Sequence, residues 1–255
     1  MQFKTTSVQV LDRAAMIIDV VSSRLQATKQ ELVAETGLNV TTVYRLLASL
    51  CEHGFLRKNE DNTYSIGWKF YTLASVQIDN LDFITLALPI LRTLAKELSL
   101  QAMLCVLNQR ECTAVAAIDA DQKINISALG MTLPDYACAV GKAILAQFSE
   151  EEIISRFRSS PFEVLCDNTI VTLGDMKKEL AKVRSQGFAV SNREYTVGPI
   201  CLAVPVFNYR LDVIGAICVR TEYDEETFRR ELDNISAHSV RAAMELSQKM
   251  GYFLQ

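Results

Sequence analysis

The chain has 255 residues, 49% of them hydrophobic and 22% charged, with a formal net charge of −4, a composition that fits one or two globular domains and excludes a disordered chain. No apolar run approaches the roughly 18 residues of a membrane span, and Met1 to Thr6 lacks a signal-peptide pattern; a cytoplasmic protein with no membrane partner is expected. Seven cysteines without a CxxC pair, and only two histidines, His53 and His238, give no zinc spacing, so neither a metal nor another cofactor is expected.

Ser7 is read as the cap of a first helix whose apolar positions Leu11, Ala14, Ala15, Ile18, Val21 and Leu25 recur at intervals of three and four. Thr28 followed by Glu31 forms a capping box that opens a second helix. Gly37 can take the left-handed conformation that ends it, and Asn39 caps a third helix running to about His53, with Gly54 as its stop. At about 100° per residue, Val40, Val43, Leu46, Leu47 and Leu50 share one face of that helix, while Thr41, Arg45, Ala48 and Glu52 line the other. Hydroxyls and a guanidinium around a small Ala48 suit a DNA major groove, where the first residues of a recognition helix reach base edges; a plain amphipathic surface helix is the alternative. Phe55 to Asn59 and Thr63 to Ile66 then read as two strands around the turn Glu60-Asp61-Asn62. Three helices and a hairpin make a winged helix-turn-helix over residues 1–67. Its candidate DNA contacts are Thr28, Lys29, Val40, Thr41, Thr42, Tyr44 and Arg45, with Arg57, Lys58 and Asn62 on the wing. Through residue 70 there are 8 Lys and Arg against 7 Asp and Glu, so local rather than net charge must attract phosphates.

Residues 68–81 read as a linker helix on which Trp68, Tyr71, Ala74 and Ile78 step along one side, a stripe that needs a partner in a second subunit or in its own domain. Residues 82–255 read as an α+β domain around an antiparallel sheet. It opens with a helix through Leu98 that Pro89 kinks or restarts. Strands are expected at Ala102 to Leu107, Cys112 to Ile118, Ile124 to Ala128, Phe188 to Asn192, Ile200 to Phe207 and Val213 to Arg220. Gly130 to Asp135 is expected as a loop. Helices are expected at Cys138 to Gln147, after the capping box Ser149 and Glu152, from about Leu173 to Gly187, and from Glu225 to Met250.

Two sets of residues together resemble the IclR family of bacterial transcription regulators. SVQVLDRAAMIIDVV, ELVAETGLNVTTVYRLLASLCEHGFL and YSIGWKFYTLA are similar to that family's winged-helix domain and linker. Gly187, Ser191, Glu194, Cys201, Leu202, Ala203, Val206, Phe207 and Asn208 stand at the spacings of its C-terminal signature, and GMTLPDYACAVGKAILAQ, Gly130 to Gln147, resembles an earlier effector-domain motif. The resemblance covers about Ser7 to Met250. It implies a homodimer or tetramer that binds a double-stranded DNA operator through the winged helices and a small-molecule effector through a GAF-like C-terminal domain. Carried across, the family's effector positions fall on Ala139, Val140, Ser191, Cys201, Cys218 and Arg220; Met131 and Leu133 join them from the earlier motif. The amides at the start of the helix after Cys138 are a further anion site.

The chain departs from the family where many members carry Asp in place of Ser191 and serines in place of Cys218 and Arg220. The exchange makes the site more cationic and favours an anionic, carboxylate effector; Arg220 paired with Glu194 or Glu222 as plain structure is the alternative. An enzyme with Cys201 or Cys138 as nucleophile wants a histidine base, and His53 sits in the DNA-reading domain while His238 lies on the long terminal helix, so no catalytic residue is assigned. A cysteine-based redox sensor, built on a pair such as Cys201 and Cys218, is the competing function, against thiols that are merely small buried hydrophobes.

Overall fold

The structure, a computed structural model, describes residues 8–70, 72, 73, 82–158 and 162–252. The chain forms two compact units, Met1–Leu81 and Asp82–Gln255. Among the described residues no helix is long and apolar enough to cross a membrane.

The first unit holds α1 (Gln9–Arg24), α2 (Lys29–Thr36) and α3 (Val40–Glu52), then the hairpin of β1 (Leu56–Lys58) and β2 (Tyr64–Ile66). Its core is Ile17, Val21, Leu32, Val43, Leu47, Leu50, Leu56 and Tyr64. The caps are those the sequence specifies. Thr28 and Glu31 exchange both bonds of a capping box, Gly37 sits at φ 66°, and the Asn39 side chain accepts from the Thr42 amide. Two readings change. The N-cap position of α1 is Val8, with no side-chain cap, and Ser7 lies outside the described residues. The buried stripe of α1 centres on Ile17 and Val21, because the short α2 and α3 meet only that side; Leu11, Ala15 and Leu25 stay exposed. Residues 68–70, 72 and 73 are helical, and Phe70 packs edge-on against Phe55 at 5.4 Å. Tyr71, Ala74 and Ile78 lie outside the described residues.

The second unit is a six-stranded, wholly antiparallel sheet in the order β5-β4-β3-β8-β7-β6. Its strands are β3 (Gln101–Asn108), β4 (Glu111–Ile118), β5 (Thr132–Pro134), β6 (Ala189–Asn192), β7 (Ile200–Phe207) and β8 (Val213–Thr221). On one face lie α4 (Asp82–Leu98) and α8 (Glu225–Lys249), packed on Leu104, Leu202, Ile217 and Val219. On the other lie α5 (Ala139–Leu145), α6 (Glu150–Arg158) and α7 (Leu173–Gln186), over Met103, Cys105, Ala203 and Cys218. Alternation along each strand sorts these residues. A bulge in β4 shifts the pairing from Leu104↔Ala116 to Cys105↔Ala114, so Cys112 and Ala114 face α5 although Ala117 on the far side of the bulge does too.

Helix α4 runs unbroken through Pro89, whose ring is on the exposed side. The strand expected at Ile124 to Ala128 is instead one bridge, Ile118↔Ile124, and a 3-10 turn over Ile126–Ala128. There the Asn125 side chain accepts from the Ala128 amide at 3.2 Å, a local bond that competes with a strand ladder. The expected loop Gly130 to Asp135 contributes β5, which pairs with β4 at the sheet edge.

Candidate functional site

On the first unit, Thr41, Tyr44 and Arg45 are exposed on α3 and Thr42 is half-buried beside them. Val40, placed by periodicity on the packing face, is 56% exposed, because it stands at the edge of that face and one residue into the helix. Thr28, Lys29, Val40, Tyr44 and Asn62 line one shallow groove. Lys29 Nζ lies 3.8 Å from the centre of the Tyr44 ring, and the Tyr44 hydroxyl holds the ammonium's pKa above its ordinary value. The Thr28 hydroxyl is engaged in the capping box. Asn62 adopts φ 64° at the tip of the hairpin. Arg57 and Lys58 are exposed but lie outside that groove; together they line two other concavities along the wing, one of them with His53 and Lys69.

On the second unit, all eight candidate effector residues line one cavity of about 120 Å³. Register explains how positions so far apart in sequence meet. Ser191, Cys201 and Arg220 are cross-strand partners in a single row over β6, β7 and β8, and Ala203, Cys218 and Met103 form the next row. Met131 and Leu133 come from the β5 segment. Ala139 and Val140 come from α5, a seven-residue helix buried along its whole length. That burial needs Gly141, since a Cβ there would fall 1.8 Å from the Asp135 carbonyl oxygen. The helix start is already partly used, because the Gly141 amide donates to Cys138 Sγ at 3.3 Å.

Sequence reasoning named Glu194 near these eight but did not reach Lys142 beneath it or Arg193 beside it. Lys142 is 1% exposed, and its ammonium donates to Glu194 (2.6 Å), Glu179 (3.0 Å) and the Val190 carbonyl (2.6 Å). Burial pushes the Glu194 carboxyl upward in pKa, and the Lys142 charge opposes that. Lys142 sits at a position that the α5 pattern alone makes an ordinary helical lysine, so only the strand end at Glu194 would have hinted at a buried partner. Arg193, Glu194 and Arg220 are the charged residues of the cavity wall. Arg220 bonds Glu222 through Nε (3.1 Å) and Nη2 (2.8 Å), not Glu194. Glu222 is 69% exposed.

Five of the seven cysteines, Cys105, Cys112, Cys138, Cys201 and Cys218, line the cavity, and of these Cys201 alone is partly exposed. The thiol of Cys201 is held below its ordinary pKa by a hydrogen bond from Cys218, against burial and with help from the Arg220 charge. Cys218, the proton donor of that pair, is pushed up by the same bond and by burial. Cys112 is pushed up by its bond with Cys138 and by burial, and Cys105 by burial.

A winged helix-turn-helix joined to an α+β unit with an internal cavity defines a class of DNA-binding regulators that answer to small molecules. Residues 75–248 match the model of the bacterial transcriptional regulator IclR C-terminal domain, and residues 10–60 match that of the IclR helix-turn-helix domain. The chain therefore belongs to the IclR family of transcriptional regulators, with a DNA-binding unit and an effector domain. It is 27% identical over 248 residues to the HTH-type transcriptional regulator XynR of Escherichia coli K12, covering 96% of this chain and 98% of that protein. It is likewise 27% identical over 252 residues to the transcriptional repressor IclR of the same strain, covering 97% and 92%. Among solved structures, the IclR of Thermotoga maritima superimposes with a TM-score of 0.76 at 26% identity, over 96% of this chain and 99% of that one. An IclR homologue from Microbacterium hydrocarbonoxydans, complexed with 4-hydroxybenzoate, shares the fold with a TM-score of 0.80 at 18% identity, over 95% and 99%.

Proposed function

We propose that the chain binds a palindromic operator as a dimer or tetramer, and that a small carboxylate in the C-terminal cavity sets its affinity for that operator. The linker segment 68–81 carries the dimer contact, with Trp68, Tyr71 and Ile78 against the partner. The observation that carries the ligand reading is the wall charge of the cavity. Lys142 matches Glu194 from below, which leaves Arg193 and Arg220 as the cationic groups of the wall that face the ligand space. Their carboxylate partners, Glu222 and Glu225, are 69% and 51% exposed, and pairs that open to water hold weakly. An entering carboxylate takes the place of Glu222 on Arg220, where a planar guanidinium offers two parallel donors. Ser191 adds a neutral hydroxyl in the same row, which turns to the ligand from the Ala137 carbonyl to which it donates at 3.3 Å. The remaining walls, including Met131, Leu133, Ala139 and Val140, receive an apolar body. A cavity of about 120 Å³ is a little smaller than one of about 150 Å³ that holds benzene, so the ligand is a carboxylate of a few carbons. The relative complexed with 4-hydroxybenzoate holds a small carboxylate.

Titration calorimetry of the full chain with a panel of small carboxylates and their primary amides tests the reading. Carboxylates should bind and the isosteric amides should not. Amides binding as well as acids, or binding confined to cationic compounds, would remove the anionic pocket and leave Arg220 as a structural partner of Glu222.

A further inference from the structure

The five thiols of the cavity are not needed for carboxylate recognition, and their arrangement has a chemistry of its own. Cys201 faces Arg220 directly across the β7 and β8 ladder, and Cys218 is two residues further along the same strand on the same face. Cys201 is the one of the five that is not fully buried. Arg220 bonds Glu222 through Nε and Nη2, and among the described residues its Nη1 donates to none. We propose that this cavity is also a covalent capture site for small soft electrophiles, α,β-unsaturated carbonyl compounds, with Cys201 Sγ as the nucleophile.

The step balances without an oxidant. The Cys201 thiolate forms a bond to the β-carbon of the enone, the carbon–carbon π pair moves towards the carbonyl oxygen, and Arg220 Nη1 donates to the oxygen where that charge develops. The proton lost by the thiol returns through solvent to the α-carbon, so the adduct is a saturated thioether. The thiol proton of Cys218, shared towards Cys201, favours the thiolate before the step, and the Arg220 cation adds to that effect. Two other soft-ligand chemistries fit less well. Among the described residues no group of three or more His, Cys, Asp or Glu is placed to hold a metal ion. Closing a disulfide after peroxide oxidation would join diagonal rather than opposed positions, whose Cα atoms are typically about 7–8 Å apart, beyond the ordinary reach of the bond. The apolar walls Met103, Leu133 and Val140 instead favour an organic molecule of a few carbons.

This inference shares the cavity with the proposed effector but does not rest on the effector's charge. The test treats the native full chain with methyl vinyl ketone at about one equivalent and follows adducts by intact mass and peptide mapping. Cys201 should be modified first, at least about tenfold faster than Cys51 and Cys166, the other partly exposed thiols. Cys201→Ser should lose that fast adduct. Cys218→Ala should slow it, because the bond that favours the Cys201 thiolate is lost. An unmodified Cys201, or one that reacts no faster than Cys51, overturns the proposal, and mapping of the unaltered chain decides this even if a variant fails to fold. Rapid labelling of Cys201 that propionate or butyrate does not slow supports the thiol site while counting against the carboxylate reading.

Discussion

In the N-terminal unit the candidate contacts Thr41, Tyr44 and Arg45 stand exposed on one 13-residue helix, whereas in the C-terminal unit Ser191, Cys201 and Arg220 come from three strands and meet only through register. The first surface is made by leaving one face of an amphipathic helix uncovered. The second is made by holding a sheet, a short buried helix and a buried lysine in a fixed relation. Damage to the first should therefore weaken binding and spare folding, while damage beneath the second should cost folding first.

The largest effect is expected at Lys142. Removing its charge leaves Glu194 buried without compensation, so Lys142→Met should destabilise the C-terminal unit by about 3–5 kcal/mol, with the N-terminal unit unaffected. Adding Glu194→Leu should recover much of that loss, since replacing all the buried charges by apolar groups is often neutral. The pH dependence has a definite sign. The Glu194 pKa is raised in the folded chain, so its favourable contribution is full below the ordinary carboxylate range and is lost as pH rises through the folded value. The deficit of Lys142→Met should thus be smallest in acid and grow towards neutral pH in thermal melts. A deficit independent of pH would assign the loss to packing.

Next in size, Arg45→Ala should cost roughly 1–3 kcal/mol of operator affinity and relax preference at one base position, with the melting curve unchanged. Binding-site selection on the variant checks both, and unchanged specificity would take Arg45 out of the reading role. Tyr71→Glu should loosen the dimer in sedimentation velocity and weaken operator binding with it; unaltered sedimentation would place the linker stripe against its own chain. Smallest of all, Thr28→Ala removes the bonds that the Thr28 hydroxyl makes with the Glu31 amide and carboxylate and leaves the one from the Thr28 backbone amide. It should lower the stability of the N-terminal unit by about 1 kcal/mol, and a larger loss of DNA affinity than of stability would give the hydroxyl a second task at the DNA.

What could be read in the sequence follows the same division. Helix α3, its Asn39 cap and the Gly37 turn are local, so periodicity and cap chemistry were enough. The eight cavity residues came from likeness to a family, not from spacing; no local pattern reveals that Ser191 opposes Cys201 or that Cys201 opposes Arg220. The bulge in β4, the 3-10 turn at Ile126–Ala128 and the pairing of β5 escaped for the same reason, since each depends on a neighbour distant in sequence or on one competing side-chain bond. Lys142 is the clearest case. A lysine on a helix is ordinarily at the surface, and only the arrival of Glu194 and the Val190 carbonyl makes its burial tolerable.

The proposed regulation requires that a carboxylate held on Arg220 be coupled to the DNA-reading unit. Ligand changes operator affinity only by its different affinity for the two states of the protein. The most direct measurement is operator affinity with and without the best-binding small carboxylate, for the unaltered chain and for Arg220→Lys. The expected result is that the variant binds ligand-free operator as the unaltered chain does, while its response to the carboxylate falls by about tenfold or more in the concentration required, as befits the loss of one charge-assisted hydrogen bond. An Arg220→Lys protein that responds to the carboxylate at the same concentration as the unaltered chain would contradict it.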